Sequence, residues 1–328
     1  MSKPKVFVSR VIPSAGLDRI REYCDAEVWP EQMPPPYEVL KAKIADKQGL
    51  LALLTDQVDP ELLDAAPDLR VVSNYAVGFD NVDVPACTAR GVAVGNTPGA
   101  LTDATADFAF ALLCAAARHV AAGDRYVRDG NWKTWEPRGH RGVELFGATI
   151  GIIGMGRIGY AMAYRCARGF DMKVLYHDQY RSEKAETDLG AQAVDMDTLL
   201  RESDFVTVHC DLNESTVGLM NADAFRKMKK TAVFINDARG PVHDQRALYE
   251  ALRDGEIFAA GLDVTDPEPI AMDAPLLTLP NVVVCPHIAS ATFAARNRMA
   301  EIAAQNLIAG LKGDPLPAPV NPEVKPRA

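Results

Sequence analysis

The sequence predicts an α/β protein made of two parallel-sheet domains, and three observations carry that expectation. Short apolar runs bounded by turn residues alternate with helix-length stretches along most of the chain. Strands spaced this way belong to βαβ units, whose sheets are parallel and covered by helices. The series also starts afresh near residue 148, and 328 residues leave room for two hydrophobic cores.

The first series reads as strands at residues 5–9 (KVFVS), 26–29, 50–54, 69–73 and 92–94. Between the two series, residues 98–123 hold an alanine-rich helix, with Thr102 or Asp103 placed to cap its start. A less regular stretch, 124–147, holds Trp132 and Trp135. The second series reads as strands at 148–153 (ATIGII), 173–177, 205–209, 232–236, 257–264 and 281–285. Beyond Pro286 a helix is expected over about 292–311. The tail carries Pro315, Pro317, Pro319, Pro322 and Pro326 and is expected to be extended and mobile.

Composition narrows the function classes. Hydrophobic residues make up 48% and charged residues 24%, which excludes a largely disordered chain. With 35 Lys and Arg against 44 Asp and Glu, the net charge is −9, the wrong sign for a nucleic-acid binder. The one basic cluster, FRKMKK at 225–230, reads as a solvated helix end. The longest apolar run, 108–117, is about half the length a membrane helix needs, and the first strand is too short for a signal peptide. Six scattered cysteines without a C-x-x-C pair read as free thiols. A cytoplasmic protein without a membrane partner is therefore expected. His119, His140, His177 and His243 lack metal-ligand spacing, and no metal is expected.

The segment ATIGIIGMGRIG contains G-x-G-x-x-G as Gly154, Gly156 and Gly159. It follows an apolar strand and opens a helical stretch at 157–170, and Asp178 ends the next strand 19 residues after Gly159. That context is the dinucleotide fingerprint: glycines for the turn, the close phosphate approach and the helix packing, and an acid for the ribose. An α/β protein with a tight turn and no ligand, or a methyltransferase holding a nucleoside, is the competing reading. Asp178 favours NAD over NADP, because it repels a 2′-phosphate; Arg181, three residues on, keeps NADP open.

The chain resembles the D-2-hydroxyacid dehydrogenases, and among them the glyoxylate/hydroxypyruvate reductases. The likeness runs through SNYAVGFDNVD (73–83), NTPGALTDATADFAFALL (96–113), GIIGMGRIG (151–159), FINDARG (234–240), AGLDVTDPEP (260–269) and PHIASAT (286–292). It implies two doubly wound domains, with a Rossmann NAD-binding domain over 100–291 inserted into a flavodoxin-like substrate domain made of 1–99 and 292–328. The implied activity is NAD(P)H-dependent, reversible reduction of a small 2-oxo acid, glyoxylate or hydroxypyruvate, to the D-2-hydroxy acid by a homodimer.

The resemblance places a catalytic trio on Arg239, Glu268 and His287. The chemistry of these side chains fits. A guanidinium fork grips carboxylate and carbonyl oxygens together, an imidazole exchanges protons near neutral pH, and a carboxylate orients the imidazole. Ala76, Val77 and Gly78 are implied to hold the substrate carboxylate through backbone N–H groups, with Arg239, His287 and Ser290 beside it. Cofactor contacts are implied at Thr105, at Gly154, Met155, Gly156, Arg157, Ile158 and Gly159, and at Asp178. Further ones are His209, Cys210, Asp211, Asp237, Ala238, Arg239, Asp263, His287 and Ala289, with Asp263 accepting from the carboxamide.

Two departures bear on substrate. Ala289 stands where many relatives have Gly, and Arg138, His140 and Arg141 occupy a stretch where such reductases often carry an aromatic residue. A short-form phosphoglycerate dehydrogenase is the enzyme alternative, and a NAD-sensing corepressor-like binding protein the non-enzymatic one. The family also implies dimer contacts around 124–147, so Trp132 or Trp135 is expected at an interface.

Overall fold

In a computed structural model, residues 3–324 are described. The chain divides into two compact units, Met1–Leu101 with Ala291–Ala328, and Thr102–Ser290.

The first unit holds strands β1 (Lys5–Val8), β2 (Asp25–Val28), β3 (Gly49–Ala52), β4 (Val71–Asn74) and β5 (Ala93–Gly95). Every pairing is parallel, and the order is β2-β1-β3-β4-β5, the flavodoxin-like arrangement. Helices α1 (Ser14–Tyr23), α2 (Tyr37–Ile44), α3 (Pro60–Asp64) and α4 (Val84–Ala89) connect the strands. The last helix of the chain, Phe293–Lys312, covers one face of this sheet with Ala300, Ala303, Ala304 and Leu307, all fully buried. Thr292 caps it by accepting the Ala295 N–H at 3.0 Å, and Gly313, left-handed at φ +78°, ends it.

The proline-bearing tail departs from expectation. It is pinned along β5: Val320 N–H donates to the Val94 carbonyl, and the Asn321 side chain accepts the Val94 N–H, both at 2.7 Å. Asn321 also donates to Thr88 Oγ1 at 2.9 Å and to the Val92 carbonyl at 3.0 Å, and is only 2% exposed. Pro326 lies outside the described residues.

The second unit begins with α5 (Thr102–Ala117) and α6 (Val120–Arg128). The alanine-rich helix expected after Thr102 or Asp103 ends at Ala117 and a second helix follows, because His119 takes a left-handed φ of +54° and turns the chain. The apolar stretch of α5 is buried in the core through Ala109, Leu112, Leu113 and Ala116. No single helix among the described residues is long and apolar enough to cross a membrane. Strands β6 (Thr149–Ile153), β7 (Lys173–His177), β8 (Gln192–Ala193), β9 (Phe205–Val208), β10 (Val233–Asn236), β11 (Ala259–Leu262) and β12 (Val282–Val284) form one parallel sheet. Its order is β12-β11-β10-β9-β6-β7-β8, a Rossmann sheet with one added strand. Helices α7 (Arg157–Phe170), α8 (Glu183–Leu189), α9 (Met196–Glu202), α10 (Ala222–Lys227) and α11 (Gln245–Arg253) flank it, and Phe293–Lys312 is α12.

Alternate residues of one strand feed opposite cores, as the pleat requires. Val233 and Ile235 of β10 enter the layer that holds α5 and α7, while Phe234 enters the layer with Leu248 and Leu252 of α11. The strand order reverses between β6 and β9, and in open sheets ligands bind in the crevice that such a reversal opens at the carboxyl ends.

Candidate active site

β6 delivers the glycine loop to that reversal. Gly154 has φ +93°, and a Cβ there would lie 2.7 Å from the Cys210 nitrogen. Only glycine fits the turn. A Cβ on Gly159 would strike the Gly154 carbonyl oxygen, so this glycine lets α7 seat on the turn. Gly156 differs: a Cβ there would meet nothing within 4 Å, leaving an open cradle. Gly156 is also the N-cap of α7 and offers no capping side chain, so the first N–H groups of a 14-residue helix remain for an anion. The loop is tied back by Asp178, whose Oδ2 accepts the Met155 N–H at 2.7 Å and whose Oδ1 accepts the Tyr180 N–H at 2.9 Å. These residues fit a dinucleotide pyrophosphate.

Arg239, Glu268 and His287 follow β10, β11 and β12, three adjacent parallel strands, and so leave the sheet at one edge. His287 Nδ1 lies 2.6 Å from Glu268 Oε1, with the two side chains 26% and 42% exposed. Glu268 thereby fixes the ring and leaves Nε2 for a ligand. The His287 backbone is held left-handed at φ +53°, a conformation that needs support outside glycine. Asp263 supplies that support. Its carbonyl accepts the His287 N–H at 2.9 Å, its Oδ1 the Ile288 N–H at 2.8 Å and its Oδ2 the Ala289 N–H at 2.7 Å. Burial pushes the Asp263 carboxyl above its ordinary value, against these N–H bonds that pull it down.

The Arg239 loop has its own brace, which sequence reasoning missed. Asn236, fully buried, donates to the Arg239 carbonyl at 2.9 Å and accepts the Ala238 N–H at 3.0 Å. His243 stands behind it, with Nδ1 2.9 Å from Asn236 Nδ2, and burial pulls its imidazole down to about 4. The signal available was an Asn at the end of a strand, three residues before an Arg. Gly240 packs against the Thr265 carbonyl, where any Cβ would collide, so the Arg239 and Glu268 loops abut.

The remaining positions divide. His209 Nδ1 and Asp237 Oδ1 face each other at 3.1 Å with side chains 1% and 0% exposed, and His209 Nε2 lies 3.0 Å from Thr207 Oγ1. Both side chains are thus turned inward, while Cys210, Asp211 and Ala238 are partly or fully exposed. Thr105 and Ala289 are buried, Ser290 half-buried. In the first unit, the carbonyls of Ala76, Val77 and Gly78 accept from Thr97 N, Asn96 Nδ2 and Asn74 Nδ2 at 2.8, 2.7 and 3.0 Å. The N–H groups of the same three residues donate to nothing among the described residues. These three N–H groups therefore remain open to an acceptor. Among the described residues no three His, Cys, Asp or Glu gather to hold a metal.

Fold and glycine loop together define a dinucleotide-binding α/β protein. The NAD-binding domain of D-isomer specific 2-hydroxyacid dehydrogenases matches residues 110–289. A glyoxylate reductase from Korarchaeum cryptofilum is 51% identical over 323 residues, 98% of this chain and 97% of the relative. A solved Thermus thermophilus protein superposes with a TM-score of 0.91 at 44% identity, covering 96% of this chain and 99% of that one. The NADPH-dependent glyoxylate/hydroxypyruvate reductase of Sinorhizobium meliloti, solved with NADP and malonate, gives 0.86 at 32% identity over 100% and 99% of the chains. This chain belongs to the D-isomer specific 2-hydroxyacid dehydrogenase family, and NAD(P) is its cofactor.

Proposed function

We propose that the protein reduces glyoxylate and closely similar 2-oxo acids, hydroxypyruvate among them, to the D-2-hydroxy acid, reversibly and with NADH preferred. The His287–Glu268 contact of 2.6 Å is the observation that carries this reading, because it leaves Nε2 of an oriented imidazole for a carbonyl oxygen. When bound, the reduced nicotinamide supplies a hydride to the 2-oxo carbon. His287 gives a proton to the carbonyl oxygen and takes it back in the oxidative direction, while Glu268 holds the ring. Arg239 anchors the carboxylate through its planar fork, and Ser290 takes part in the same recognition. The glycine loop, Asp178 and the backbone at 209–211 and 237–238 bind the dinucleotide. Names carried by the relatives support glyoxylate as the substrate.

The reading extends to assembly and compartment. Trp132 and Trp135 are 63% and 77% exposed in the single chain, close in sequence to exposed Val120, Val127 and Phe146. Such apolar surface supports a homodimer formed through this region. All six cysteines are free, as in a reducing compartment, and we place the protein in the cytoplasm. The test is purified protein with NADH or NADPH against glyoxylate, hydroxypyruvate, phosphohydroxypyruvate, pyruvate and larger 2-oxo acids. Turnover highest with glyoxylate or hydroxypyruvate is expected. A flat panel contradicts the reading, and preference for phosphohydroxypyruvate reassigns the substrate.

A further inference from the structure

Two cations lie beyond Asp178, Arg181 in the loop after β7 and Lys184 in the first turn of α8, and carboxylates of α8 hold both of them. Arg181 is 74% exposed, yet its Nε donates to Glu186 Oε1 at 2.8 Å and Oε2 at 2.9 Å, and its Nη2 to Oε2 at 2.7 Å. Glu186 is only 20% exposed and also accepts the Tyr176 hydroxyl at 2.8 Å. That hydroxyl accepts the Ser182 N–H at 2.9 Å, so the carboxylate is anchored to β7 and to the start of α8. Arg181 and the Tyr176 hydroxyl hold the Glu186 carboxyl below its ordinary value. Lys184 repeats the arrangement: its ammonium pairs with Asp188 and stands 4.5 Å over the Tyr160 ring, while the Tyr160 hydroxyl donates to Asp188 at 2.8 Å.

These groups adjoin the dinucleotide loop. Ser182 and Lys184 line a cavity of about 480 Å³ together with Gly156, Arg157 and Tyr160. Asp178, on the same loop as Arg181, bonds Met155 of the glycine turn. NADPH differs from NADH by a ribose 2′-phosphate with nearly two negative charges, which a guanidinium fork or an ammonium would bind. The NADPH-dependent Sinorhizobium meliloti relative has the same fold, so the choice of cofactor is made by local side chains.

We propose that Glu186 and Asp188 are positioning residues for cofactor choice: by holding Arg181 and Lys184 they deny a 2′-phosphate its cations and so reinforce the preference for NADH. The proposal rests on the NADH reading above. A phosphate recruiting Arg181 must first break the three charge-assisted bonds to Glu186, and it meets Asp178 and Glu186 as like charges.

Titration calorimetry of the full chain with NADH and with NADPH, at fixed ionic strength, tests it. Glu186→Gln keeps the side chain's shape and removes its charge. Its NADPH Kd is expected to fall about fivefold or more, while its NADH Kd changes less than about twofold. Adding Arg181→Ala to Glu186→Gln should cancel that gain. Arg181→Ala alone should leave NADPH binding within about twofold of the wild type, since the guanidinium is already engaged. An unchanged NADPH-to-NADH ratio in Glu186→Gln, or equal shifts for both cofactors, overturns the proposal. So does a tenfold loss of NADPH binding in Arg181→Ala alone, which needs no change at Glu186. Wild-type protein that binds both cofactors equally overturns the NADH reading and the proposal with it, and that is known before any substitution is made.

Discussion

A proton donor, an orienting carboxylate and a guanidinium fork leave different marks on kinetics when each is altered. Arg239→Lys keeps the charge and loses the fork, so KM for the oxo acid should rise about 10- to 100-fold, the worth of one charge-assisted bond, with a smaller fall in kcat. Unchanged KM would remove Arg239 from the carboxylate. Buried His243 yields a prediction for stability instead. Its imidazole sits near 4 in the folded protein, below the usual value of about 6.5 for an unfolded chain. As pH falls between those values the unfolded chain takes up a proton that the folded one refuses, so stability present above pH 6.5 is lost toward pH 4, by up to about 3 kcal/mol. Urea unfolding of the wild type and of His243→Gln at pH 7 and pH 4.5 checks this. The variant should lose less between the two pH values, and equal losses contradict it. None of this braced set was legible beforehand. Asn236 and His243 look like ordinary strand-end and loop residues until folding sets them behind Arg239, and Asp263 shows its role only when its oxygens meet the N–H groups of Ile288 and Ala289.

At the scale of elements, the two glycines of the dinucleotide turn should behave oppositely. Gly156→Ala has open space for its methyl, so the thermal midpoint should stay within about 2 °C while the NADH Kd rises about tenfold or more, because the methyl occupies the phosphate's approach. Gly159→Ala drives a methyl into the Gly154 carbonyl, so it should lower the thermal midpoint as well. Identical thermal losses in both would contradict the assignment of roles. Asn321→Ala leaves the buried Val94 N–H without an acceptor and should cost about 1–3 kcal/mol, read from the urea midpoint. The main strands were readable because buried parallel strands are continuous apolar runs. β8 was not, since Gln192 and Ala193 are both exposed. The break after α5 was hidden because His119 rather than Gly or Pro makes it. The tail misled for a related reason: prolines signal a lack of regular structure, whereas its order comes from Val320 and Asn321 bonding to Thr88, Val92 and Val94, more than 200 residues away in sequence.

For the molecule as a whole, the two parallel sheets follow from the two strand series and their doubly wound arrangement from the family resemblance, while assembly depends on surface that a single chain leaves uncovered. A homodimer predicts that sedimentation at micromolar concentration gives twice the 35.5 kDa chain mass, and that Trp135→Asp shifts the population toward monomer. A monomeric mass for the wild type contradicts it. The central claim is that this dehydrogenase reduces glyoxylate with His287 as its proton donor, and turnover in His287→Gln tests it most directly. Gln keeps a hydrogen-bond donor at the carbonyl oxygen but carries no transferable proton, so kcat with glyoxylate and NADH should fall by about 10² to 10⁴. Calorimetry on the same preparation should show NADH bound as in the wild type. Near-normal turnover in this variant would contradict the account, because the proton would then have to come from water or another side chain.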